Sequence, residues 1–225
     1  MDVNTVWKII QYAANKNQNG GNITPEQFNT VLMPTAQRQY LDLLLGEYQK
    51  YQIKRPISAQ VEIGNNQRVS TSLSPLIYGA ILSVFPYGLA IPPSDFEYVN
   101  AMWGLYGHYN IRWVNQDRLD SYYHSEIDPI TENPIYLISQ EGFQFYPENI
   151  AFARLSYVRT PPSIVWGYDE DSNGRPVYNP MKSQQPVWGD SDIYQIIVRA
   201  LSLVGINLQL NTLVGYANDI KNNGQ

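Results

Sequence analysis

Between Tyr168 and Pro180 the chain reads YDEDSNGRPVYNP, its densest run of oxygen ligands. Asp169, Asp171 and Asn173 alternate and Gly174 follows, which is the opening half of an EF-hand calcium loop. Such a loop closes with a bidentate glutamate at its twelfth position, and counting from Asp169 that position is Pro180. Proline offers no side-chain oxygen, so the cage lacks its closing ligand. Asn173–Gly174 is instead a strong two-residue hairpin signal, because both residues tolerate positive φ. Strand-like SIVWGY and RPVYN flank it. The carboxylates are expected at the wet tip of a projecting ribbon, and no metal is expected there.

Other reactive combinations are sparse. Asp95, Glu97, Asp117, Asp120, Glu126 and Asp128 could supply a carboxylate pair for glycoside hydrolysis, but acids this scattered read as solvated surface. With no cysteine there is no disulfide, thiolate metal site or cysteine nucleophile. The two histidines, His108 and His124, leave little for a zinc site or a triad, and His124 beside Tyr122 and Tyr123 reads as a packed side chain. Phosphate-cradling and nucleophile-elbow motifs are missing. No catalytic, cofactor-binding or metal-binding residue is therefore expected, and no cofactor. Trp166, Tyr168, Tyr178 and Trp188 lie along the arm around 160–188, and we read them as contact residues for a protein partner rather than core.

Composition points the same way. Charged residues make up 16% of the 225-residue chain, and its polarity rests largely on Asn, Gln and 18 tyrosines. Amides and phenols hydrogen-bond across protein surfaces without the desolvation cost of charges. A net charge of −5 argues against gripping nucleic acid by its phosphates. No basic start followed by an apolar run marks the N-terminus, so no signal peptide is expected. The most apolar region, Ser74 to Pro93, is interrupted by Gly79, Ser83, Pro86 and Gly88; it predicts buried strands and turns, not a membrane helix.

Val3, Val6, Trp7, Ile10 and Ala14 recur at helical spacing. Thr24, Pro25 and Gln27 form a capping-box entry to a second helix running to about Tyr51, with Phe28, Val31, Leu32, Ala36, Tyr40, Leu43, Leu44 and Tyr48 as its apolar stripe and a kink at Pro34. VEIGNNQRVS predicts a hairpin turning at Gly64–Asn66, and PPSDFEYVNAMWGLY a helix entered through Pro93. VNQDRLDSYYHS adds a helical turn or two. PIYLIS, GFQFYP and AFARLSYVRTPP predict three strands of one small antiparallel sheet, with a tight turn at Glu141–Gly142. A helix follows Asp190 or Ser191, burying Ile193, Ile196, Ile197, Ala200, Leu201 and Val204 and ending at Gly205; a last helix covers Leu210 to Ile220. The expectation is one α+β domain spanning 1–225. Helices at both termini, 1–56 and 189–225, pack together. An irregular antiparallel β region, 57–188, carries the projecting hairpin arm.

Three blocks carry a wider likeness: ANKNQNGGNITPEQFNTVLMPTAQRQYLDLL; IDPITENPIYLISQEGFQFYPENIAFARLSYVRTPPSIVWGY with NGRPVYN; and DIYQIIVRALSLVGINL. In this order the chain resembles virion structural proteins of short-tailed phages, the head–tail connector (adaptor or ring) proteins of crAss-like phages above all. The resemblance implies a non-enzymatic subunit of a dodecameric ring in the neck below the portal, within the virion and assembled in the bacterial cytoplasm. It implies contacts with copies of itself, the portal protein and neighbouring tail rings. Double-stranded DNA would pass through the lumen without specific binding, and no membrane would be involved. A virion glycan-binding module for host attachment is the alternative that the Tyr and Trp content leaves open.

Overall fold

The structure, a computed structural model, describes residues 1–15, 23–53, 60–105, 109–123 and 129–207. Two compact units emerge: Met1–Pro75 with Pro161–Gln225, and the stretch Leu76–Thr160 inserted between them in sequence. One domain is expected from the sequence; the chain divides instead into compact units at 75/76 and 160/161, and the arm falls in the unit with the helices. In chain order the first unit holds α1 (Val3–Asn15), α2 (Pro25–Gln27), a π turn (Phe28–Leu32), α3 (Met33–Ile53) and α4 (Gln60–Leu73). The inserted unit holds β1 (Ile77–Ser83), β2 (Leu89–Ala90), β3 (Phe96–Gly104), β4 (Arg112–Trp113), α5 (Leu119–Tyr123), β5 (Ile135–Ser139), β6 (Gly142–Tyr146) and β7 (Phe152–Arg159). The first unit resumes with β8 (Tyr168–Glu170), β9 (Pro176–Tyr178) and α6 (Asp190–Asn207). The protein is α+β.

In the first unit the terminal helices do pack together, with α1 and α3 lying against α6. Val3, Val6 and Ile10 are buried, as are Phe28, Met33, Leu41, Ile193, Ile196 and Ala200. The helix start is the expected one: Gln27 N–H donates to Thr24 Oγ1 at 3.2 Å and Thr24 N–H to Gln27 Oε1 at 3.1 Å. In place of a simple kink at Pro34 the chain takes a π turn, with Met33 N–H bonded back to the Phe28 carbonyl. The wider turn makes room for a proline ring that cannot donate to the carbonyl four residues back. It also rotates the apolar stripe, which leaves Val31 56% exposed and carries Met33 inward. The hairpin expected at 61–70 is instead α4: Val69 and Leu73, four residues apart, are both buried, a helical spacing that outweighs the turn-like Gly64–Asn66. Helix α6 buries the expected face and continues through Gly205 to Asn207. The last expected helix, 210–220, lies outside the described residues.

The inserted unit packs two sheets face to face. One is three-stranded in the order β1–β7–β3, and the other four-stranded in the order β2–β6–β5–β4. Leu82, Met102 and Leu155 from the first meet Tyr136, Phe143 and Phe145 from the second in one buried cluster. The segments expected as strands β5, β6 and β7 all form, but β7 is the centre of the first sheet while β5 and β6 pair in the second. The helix expected from Pro93 is strand β3. Its Tyr98, Val99 and Trp103 favour strands, and register shifts at Phe96/Tyr98 and Val99/Ala101 break the alternation that would have announced it. At the β5–β6 turn, Gly142 takes φ 136°, where a Cβ would stand 2.4 Å from the Ala90 carbonyl oxygen.

Candidate functional site

The arm is built on the first unit by amide side chains acting in place of a partner strand. Gln37 Nε2 donates to the Pro162 carbonyl at 3.2 Å, and Ile164 N–H donates to Gln37 Oε1 at 3.4 Å. Two helical turns earlier, Asn29 repeats the motif: its Nδ2 donates to the Trp166 carbonyl at 3.1 Å and its Oδ1 accepts from Trp166 N–H at 2.8 Å. The extended exit forced by Pro161–Pro162 thereby has its backbone groups satisfied. Val165 and Gln184 exchange backbone bonds at 3.1 and 2.9 Å, and β8 pairs with β9 beyond them. Gly167 permits the crossing, since a Cβ there would lie 2.4 Å from the Lys182 carbonyl carbon.

Trp166 is the hub of an aromatic stack. Trp7 lies 4.7 Å away at 21°, while Tyr168 and Tyr178 each stack at 5.8 Å; Phe28 closes edge-on against Trp7 at 5.1 Å. The indole N–H of Trp166 donates to Asn4 Oδ1 at 3.2 Å. Trp188 packs edge-on to Tyr40 at 5.3 Å. Both tryptophans are 4% exposed, so the reading of them as contact residues is corrected: they are core of the first unit. Tyr168 and Tyr178 are half-buried and keep an outer surface. Trp7, already read as apolar helix face, is what draws Trp166 inward.

The acidic tip is a turn in which Asp169 and Asp171 have carboxylate oxygens in use. Gly174 takes φ 72° while Asn173 does not have positive φ, so the loop is a three-residue one with a left-handed glycine rather than the two-residue type. Asp171 Oδ1 accepts from Asn173 N–H at 2.8 Å and Arg175 N–H at 2.9 Å. Lys182 and the Asn179 amide, the latter at 2.5 Å, hold the Asp169 carboxyl below the usual carboxylate range. No group of three metal-ligating side chains is assembled among the described residues.

One buried acid stands apart. Asp192 Oδ1 accepts from Tyr40 Oη at 2.6 Å and Ser72 Oγ at 2.8 Å, beside an open cleft of about 550 Å³ lined by Gln67, Arg68, Thr71 and Ser191. Burial first, then this carboxylate, pushes the Tyr40 phenol well above its ordinary pKa. The Arg199 guanidinium lies over the same ring at 5.0 Å. The acid ties α3, α4 and α6 together, so its local role is structural. Of the scattered acids, Asp95 accepts from Tyr157 Oη at 2.9 Å and Glu97 from Thr160 Oγ1 at 3.3 Å. His108, His124, Glu126 and Asp128 lie outside the described residues.

The inserted unit presents a surface that sequence reading missed. Strand β1, IYGAILS, carries no charge and no proline, and among the described residues it pairs with β7 alone. Expected to be buried, it is mostly exposed: Ile77 and Tyr78 are open to solvent and Ile81 is 60% exposed. Register sets Ile81, Arg154 and Trp103 in one row across the sheet, with Phe152 beside them, all on the face away from the core. The signal was present in the uncharged run itself, since a soluble edge strand normally carries lysine, proline or a bulge. No helix among the described residues is long and apolar enough to cross a membrane. No protein-family model matches the chain, and no curated protein matches it.

Proposed function

We propose that the chain is a non-enzymatic virion subunit that forms a ring, dodecameric by its resemblance to phage connector proteins, in the neck below the portal. The observation that carries the reading is the uncharged, unblunted edge of β1 with its exposed Ile77, Tyr78 and Ile81. Such an edge is a template for another chain, and proteins that stay monomeric blunt it. A ring needs a heterologous contact, in which one face of each copy meets a different face of the next. Charge distribution adds support. Leu76–Thr160 carries nine acidic against four basic residues, while the rest of the chain balances eleven against eleven. Acidic units repeated around a lumen would repel DNA and keep it mobile. The ring would extend the DNA channel and join head to tail, with portal and adjoining tail rings as partners.

Native mass spectrometry of the purified protein, alone and with its portal protein, tests this. Closed rings, or incorporation into a portal complex, is the expected result. A persistent monomer that ignores the portal would contradict it.

A further inference from the structure

The open edge of β1 has a definite chemistry. Val84 N–H donates to the Ala151 carbonyl at 3.0 Å, and the β1–β7 register runs on from that pair. Alternation therefore turns the main-chain groups of Tyr78, Ala80 and Leu82 toward β7 and those of Ile77, Gly79, Ile81 and Ser83 outward. The side chains of Ile77, Ile81 and Ser83 lie on the face that carries Arg154 and Trp103. Arg154 is exposed and has no ion pair among the described residues.

The arm offers a matching edge. Asp171 N–H donates to the Arg175 carbonyl at 3.0 Å and Asn179 N–H to the Gly167 carbonyl at 2.8 Å, so Asp169 bonds toward β9 and the main chains of Tyr168 and Glu170 point outward. Strand β9 opens with Pro176, which has no N–H to give, so β8 is the better edge. Glu170 is exposed and, unlike Asp169 and Asp171, makes no bond through its carboxylate among the described residues.

We propose that β8 of a neighbouring copy adds to the outer edge of β1 as an antiparallel strand, seating the neighbouring copy's Glu170 against Arg154. In an antiparallel pair, residues directly opposite share a face, so outward-bonding Glu170 opposite the Gly79–Ile81 stretch lands on the side of Arg154. Gly79, with no side chain, leaves the path between them open. Charge favours this occupant over a two-fold pairing of β1 with itself. Self-pairing would bring two acidic units together and leave Arg154 without a carboxylate, whereas β8 brings Glu170 to it. Three residues make a short ladder, so each contact is weak alone and ring closure multiplies it.

This inference rests on the ring reading, and its test separates the two. Arg154→Glu, Glu170→Arg, the double exchange and Ile81→Lys are compared with the native chain by sedimentation velocity, with circular dichroism melts confirming that each folds. Each single charge reversal and Ile81→Lys should raise the concentration needed for rings by at least about fivefold, and the double exchange should recover assembly. Rings formed as readily by the single variants as by the native chain overturn the docking and leave the ring reading standing. Losses in both single variants without recovery in the exchange also overturn it, because the two side chains then serve separate contacts. A native chain that never assembles, with or without portal, overturns both.

Discussion

If Trp166 is the keystone of the first unit rather than a contact residue, Trp166→Ala should cost stability in the isolated monomer. The indole is 4% exposed and stacks on Trp7 at 4.7 Å. Burying a tryptophan removes up to about 250 Å² from water, an upper bound of about 6 kcal/mol at 25 cal/mol per Å². Partial collapse of the site and the retained Cβ bring the expectation to about 3–5 kcal/mol. With a urea dependence of about 2 kcal/mol per molar, the midpoint should fall by about 2 M. The assay is urea unfolding of dilute protein followed by near-ultraviolet circular dichroism. The two units are fitted as separate transitions, because a chain of two compact units need not unfold in one step. Tyr178→Ala, half-buried at the edge of the stack, serves as the milder control. A loss below about 1 kcal/mol on Trp166→Ala would refute the core assignment, being the size of an ordinary surface change.

Asn29→Ala removes both amide bonds to the Trp166 backbone; it should cost about 1–3 kcal/mol and speed hydrogen exchange selectively at the Trp166 amide. Tyr40→Phe should cost about 1–3 kcal/mol, because buried Asp192 loses one of its two hydroxyl donors. The raised Tyr40 pKa is a stability term fully present below pH about 10 and lost as pH rises above it, since the unfolded phenol ionises first. Tyr40→Phe should therefore flatten the alkaline fall in stability of the first unit, measured by melts between pH 8 and 11. Deleting Asp169 to Arg175 should leave both units folded by circular dichroism while weakening assembly, because these residues are exposed and add no core. Unchanged ring formation by that deletion would mark the arm tip as dispensable.

The parts legible in sequence were those governed by local chemistry. The Thr24–Gln27 capping box, the buried face of α6 and the segments forming β5 to β7 depend on neighbours within a few residues, and all appear where the pattern put them. Where tertiary pairing decides, the pattern misled. Bulges hid β3, and a Pro–Ser–Asp entry imitated a helix cap. Gly64–Asn66 imitated a turn inside α4. The amides at 29 and 37 carry no local signal, because they bond to an extended segment more than a hundred residues away. That distance also explains Trp166 and Trp188. Aromatics on a ribbon look like contact residues until Trp7 and Tyr40 are seen beside them. The exposed β1 edge reverses the error, because an apolar run suggests a core until the sheet order shows no strand paired beyond it among the described residues.

The most direct test of the proposed self-assembly is a cryo-electron microscopy map of the protein mixed with the proposed portal partner. A closed ring with the outer edge of β1 at the boundary between adjacent copies is the predicted result. A single copy with that edge in open solvent, making no contact with the portal, would contradict the account.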